Sequence, residues 1–77
     1  MTLPKAVLTE IQAAVLRAVR DARPYAVAEQ VALNLEHRPA CVQRALDALT
    51  RRNFVTPIEG YADRECVYVA TAKGRSW

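Results

Sequence analysis

The stretch from His37 to Phe54, HRPACVQRALDALTRRNF, constrains this chain more than any other, because its two faces make different demands. Val42, Ala45, Leu46 and Leu49 recur at i, i+3, i+4 and i+7, the apolar stripe of a helix lying on a core. Pro39 fits a first helical turn, where no backbone donor is needed, so a helix over about 39–52 is expected to start at Arg38 or Pro39 and to end at Asn53. The opposite face carries Arg38, Cys41, Gln43, Arg44, Asp47 and Arg51, and the stretch closes on Arg51 and Arg52. Arg matches the acceptor pair of guanine and Gln the donor and acceptor of adenine, so this face suits the DNA major groove. A charged face kept for solubility has the same composition, and the rest of the chain must decide between them.

With 77 residues the chain holds one domain, near the size where a single core is marginal without a staple or a partner. The net charge of +3 is unevenly placed: residues 1–37 are balanced, and the whole excess lies in residues 38–77, which begin with the proposed recognition helix. A polyanionic partner fits that asymmetry. Two cysteines, Cys41 and Cys66, make no disulfide framework, and no signal peptide or long apolar span is visible. A reduced, cytoplasmic protein with no membrane association is expected. One histidine and no close cysteine pair give no basis for a metal site, and no cofactor or small-molecule ligand is expected.

Along the chain, residues 1–8 read as an N-terminal arm and 9–77 as the folded domain. Thr9-Glu10-Ile11-Gln12 fits a capping box, with Leu8 as a staple, so a first helix is expected from Glu10 to about Ala22 with Ile11, Val15, Ala18 and Val19 inward. A connection at Arg23-Pro24-Tyr25, with a short strand at Tyr25, leads into a second helix over 26–35. There Val27, Val31 and Leu35 share a face with Ala28 and Ala32. Asn34 to His37 is read as the turn before the recognition helix, and two helices joined this way form a helix-turn-helix unit. After Asn53 the period becomes strand-like. Phe54 to Ile58 and Cys66 to Ala70 flank a polar loop holding Gly60, which reads as a β-hairpin with Pro57 at an edge or bulge. Thr71 can cap one last helical turn before Gly74.

This order of elements resembles the winged helix-turn-helix domain, and the residues are similar to it as well. LTEIQAAVLRAV resembles the first core helix of MarR-type regulators, AEQVALNL their positioning helix, and VQRALDALTRRNFV their recognition helix running into the first wing strand. VYVATAKGR is similar to the end of the second wing strand in MarR and PadR regulators and in small archaeal and viral repressors. The turn NLEHRPAC is about two residues longer than the usual pattern, Asn53 stands where Gly is common, and the long flanking helices of MarR dimers have no counterpart. The resemblance implies an α+β winged helix-turn-helix fold, three helices plus a C-terminal hairpin wing.

It also implies a function: sequence-specific binding of double-stranded DNA by a transcriptional regulator, a repressor occupying an operator, with the wing over 59–65 on the backbone or minor groove. Carried over residue by residue, Gln43 and Arg44 read bases, Arg38 reads or clamps at the helix start, and Arg51 meets phosphate. Arg52 meets phosphate or equally pairs with Glu59 or Asp63. Asp47 orients Arg44 or Arg51 or marks the limit of the footprint, and Arg64 at the wing tip meets the minor groove or a phosphate. Lys73 and Arg75 are backbone contacts or plain surface. Tyr68 belongs to the core, and Trp77 is a surface end or an anchor for a second subunit in a homodimer. Cys41 as a redox-sensitive thiol and His37 as a cap or phosphate ligand are weaker readings of the same face. The competing function is a winged-helix protein-interaction module, favoured by Asp47, Asp63, Glu65 and the modest charge. No nucleophile, acid and base set supports an enzyme.

Overall fold

The computed structural model describes residues 7–22, 24–59 and 66–77. Three helices, α1 (Glu10–Asp21), α2 (Ala28–Leu35) and α3 (Pro39–Arg51), precede strands β1 (Val55–Glu59) and β2 (Cys66–Ala70) and a short α4 (Ala72–Ser76). The architecture is α+β, a three-helix unit with a hairpin wing. Residues 1–6 of the expected arm and the expected wing tip at 60–65, with Tyr61, Asp63, Arg64 and Glu65, lie outside the described residues. No described helix is long and apolar enough to cross a membrane.

α1 begins at the capping box: the Gln12 amide N–H donates to Thr9 Oγ1 at 3.2 Å while the Thr9 N–H donates to Gln12 Oε1 at 3.1 Å. Its buried residues are Val15, Leu16 and Val19, so the inward face is rotated toward Leu16, with Ile11 and Ala18 half-buried. All four stripe residues of α3, Val42, Ala45, Leu46 and Leu49, are buried, and α1 and α2 both pack on that helix. Together with Val31, Ala32, Phe54, Val55, Tyr68 and Ala70 they form one core.

Two expected boundaries move. The second helix starts at Ala28 rather than Ala26, because Ala26 is held in a bridge to Tyr68, donating and accepting a 2.8 Å hydrogen bond. The extended residue lies one position beyond the strand expected at Tyr25, for the same reason. The second helix ends at Leu35 as expected, so Asn34 and Leu35 belong to it rather than to the turn, and only Glu36, His37 and Arg38 lie between the helices, the short connection of a helix-turn-helix. Glu36 makes this possible by adopting φ 57°, while the His37 N–H reaches back to the Ala32 carbonyl at 3.0 Å and closes the helix in a Schellman motif.

α3 ends the same way. Asn53 takes φ 64°, and the Phe54 N–H donates to the Leu49 carbonyl at 2.9 Å, which drives the Phe54 ring into the core beside Leu49. Asn tolerates the left-handed region better than most residues, so it serves where the resembling family often has Gly. β1 and β2 pair antiparallel with Pro57 opposite Tyr68. Because the Tyr68 N–H and C=O both point to Ala26, Pro57 stands at a non-hydrogen-bonded position of an edge strand, where its missing donor removes no ladder bond.

The last helix does not stop before Gly74 but runs through it to Ser76. Gly74 is buried, and a Cβ there would fall onto the carbonyl of Phe54, with Leu16 behind it. Replacing Gly74→Ala is therefore expected to cost about 3 kcal/mol, read as a lower urea midpoint at unchanged slope. Glu36→Gly is expected to act oppositely, raising stability by about 0.5 to 1 kcal/mol in the same measurement, since Glu36 is exposed and its positive φ is strained only for a side chain.

Candidate functional site

The outer face of α3 is where the structure gathers the expected contact residues. Gln43, Arg44, Asp47 and Arg51 are all exposed, and Arg38 stands exposed at the N-cap position with φ −68° and ψ 140°. Arg44 and Arg51 lie two helical turns apart, about 10 Å along the axis. The guanidinium groups of Arg38, Arg44 and Arg51 engage no other described residue. No side chain caps the start of α3, so a helix N-terminus is left beside Arg38.

Asp47 does not orient either arginine. It accepts a hydrogen bond from Gln43 Nε2 at 3.1 Å, an i, i+4 pair on the helix surface. The same nitrogen donates to the Tyr68 hydroxyl at 2.9 Å, so Gln43 is tied both to its own helix and to β2 of the wing. The i, i+4 spacing makes the first of these bonds legible in the sequence. The second spans 25 positions and depends on how the wing folds back. Tyr68 is buried, as expected, but its hydroxyl reaches this exposed face and thereby joins the site.

Other cations are used within the chain. Arg52 pairs with neither Glu59 nor any other described acid; its Nη1 donates to the Val7 carbonyl at 2.8 Å and its guanidinium lies 5.5 Å from the Phe54 ring centre. Lys73, exposed on α4, places its ammonium 4.6 Å from the same ring and donates to the Arg52 carbonyl at 2.8 Å. Phe54 is thus sealed by two cations, one just before β1 and one just after β2, where the two strand ends lie side by side. Arg75 is exposed, Cys41 is an exposed free thiol and His37 is exposed before α3. Trp77 is half-buried against the core and follows the last helix. Arg64 lies outside the described residues.

No protein-family model matches the sequence, and no curated protein matches it significantly. Solved structures do. A mutant of ZitR from Lactococcus lactis aligns with a TM-score of 0.82 at 22% identity, covering 99% of this chain and 51% of that one. A MarR family transcription regulator aligns at 0.78 with 23% identity, over 90% of this chain and 46% of the other. Wild-type ZitR in complex with DNA aligns at 0.76 with 24% identity, over 92% and 48%. The chain has the winged helix-turn-helix fold found in these regulators and spans about half of their length.

The division between free and engaged cations is open to measurement. Arg44→Ala is expected to leave stability within about 0.5 kcal/mol of the parent. Arg52→Ala is expected to lower it by about 1 kcal/mol, through loss of the Val7 bond and the Phe54 contact. Thermal unfolding of the two variants side by side reads the difference.

Proposed function

We propose that this chain is the sequence-specific, double-stranded-DNA-binding module of a transcriptional regulator, acting as a repressor by occupying its operator. α3 enters the major groove, and the hairpin wing over 59–65, with Arg64, lies on the backbone or in the minor groove. The observation that carries this reading is the pair of unengaged guanidinium groups, Arg44 and Arg51, on one exposed face of a helix whose other face is seated in the core, with a third, Arg38, unengaged at its N-cap. Other basic side chains of the same half, Arg52 and Lys73, are engaged in internal contacts, and Arg75 lies apart on α4. The likeness to ZitR, which has been solved in complex with DNA, supports the DNA-binding part of this reading.

In this reading Arg44 and Gln43 face base edges, Arg51 meets a phosphate, and Arg38 joins the amides at the start of α3 in holding another. Lys73 contributes charge near the backbone while its ammonium remains on the Arg52 carbonyl. A homodimer would select a two-fold operator with half-sites about one helical turn apart, whereas a single copy would select one half-site.

Selection from random-sequence duplex DNA, run at two salt concentrations, tests the proposal. An enriched motif is expected, with affinity falling steeply as salt rises. Arg44→Ala is expected to relax one position of that motif at a cost of about 1 to 3 kcal/mol, while Arg51→Ala weakens all sequences alike and lowers the salt slope by about 1. Weak, unselective binding that ignores Arg44→Ala would overturn the proposal in favour of a protein-interaction surface.

A further inference from the structure

The hydrogen bonds of Gln43 restrict what that side chain can offer to a ligand. Both contacts are made by one atom, Nε2, which lies 3.1 Å from Asp47 Oδ1 and 2.9 Å from the Tyr68 hydroxyl. A carboxylate can only accept, so the atom facing Asp47 must be the amide nitrogen and not its oxygen. An amide nitrogen carries two protons, and two acceptors are already in place. Oε1 is what remains on this exposed side chain.

We propose that Asp47 and Tyr68 are specificity-determining residues that turn Gln43 into an acceptor-only reader of the major groove. Bidentate reading of adenine needs the Gln amide to accept from N6 and to donate to N7 at once. With both Nε2 protons engaged, only the first half of that pair is made. The single acceptor Oε1 then takes a proton from an exocyclic amino group, N6 of adenine or N4 of cytosine, and is repelled by the O4 of thymine and the O6 of guanine in the same place. Gln43 therefore selects an amino-bearing base on one strand and does not separate adenine from cytosine. This narrows the adenine contact expected from residue type alone. Asp47 also gains a role in an interface where its charge would otherwise only oppose the phosphates. The inference rests on the DNA-binding reading above.

The test repeats the duplex selection with four proteins: the parent, Gln43→Ala, Tyr68→Phe and Asp47→Ala. Gln43→Ala identifies the base pair that Gln43 reads, as the position whose preference it abolishes. At that position the parent is expected to enrich adenine and cytosine on the same strand to within about threefold of each other, with guanine and thymine depleted. Tyr68→Phe and Asp47→Ala each release one Nε2 proton, completing the bidentate match, and each is expected to raise adenine over cytosine by about fivefold or more. Asp47 is exposed on a helix, so its replacement by Ala keeps the fold testable if loss of the hydroxyl from the buried Tyr68 disturbs the wing. The ratio of two bases is insensitive to overall affinity, so the charge removed with Asp47 does not mimic the effect. A parent that already prefers adenine over cytosine as strongly as the variants, or variants that leave the ratio unchanged, would overturn the inference while leaving the DNA-binding function standing. Absence of any enriched motif from the parent would remove both.

Discussion

The end of α3 is the junction on which the rest of the molecule depends. A helix terminus leaves carbonyl groups without partners, and here the chain supplies them from its far end. The Arg52 carbonyl accepts from the Lys73 ammonium, and the Phe54 carbonyl accepts from both the backbone N–H and the hydroxyl of Thr71. That hydroxyl has a single proton, which it shares between the Phe54 carbonyl and the nearer Asn53 carbonyl. Thr71 Oγ1 in turn caps α4 by accepting from the Gly74 N–H at 3.1 Å. One threonine therefore joins the end of α3, the end of β2 and the start of the last helix. The close approach that this requires explains why Gly74 sits in the middle of a short helix, where Gly is otherwise unfavourable.

That junction also fixes the direction in which the outer face of α3 looks. Phe54 leaves the helix through the left-handed residue Asn53 and is buried at once, so β1 starts at a set angle to α3. β2 then returns between β1 and Ala26, and its Tyr68 hydroxyl emerges beside Gln43. Side chains from the wing and from the helix thus meet on one surface, joined by the hydrogen bond between Gln43 and Tyr68. A site assembled on regular elements in this way holds its groups more firmly than one on loops. The likeness in fold to regulators such as ZitR extends over this whole arrangement, although the identity is only 22% to 24%.

Periodicity and local chemistry made most of the fold legible. The α3 stripe, the Thr9 capping box and the change of period after Asn53 each follow from interactions within a few residues, and each is found where the sequence places it. The exposure of Gln43, Arg44 and Arg51 was legible for the same reason, since a helix with four buried positions at that spacing can turn only one face outward. Leu16 escaped because α1 meets both α3 and β2, which widens its buried face beyond a single stripe.

The sequence by itself determined the elements, their order and which side of α3 faces solvent, because those depend on helical and strand periods that any water-soluble core enforces. Only the tertiary structure decided which polar groups remain free. Arg52, Lys73, Asp47 and Gln43 carry the same signals in the sequence as Arg44 and Arg51, yet their partners are Val7, the Arg52 carbonyl, each other and Tyr68. Of these only the Gln43 and Asp47 pair lies within one turn of helix. The remaining bonds close across 21 to 45 positions, and such distances become contacts only when the wing and the N-terminal residues have folded back onto α3.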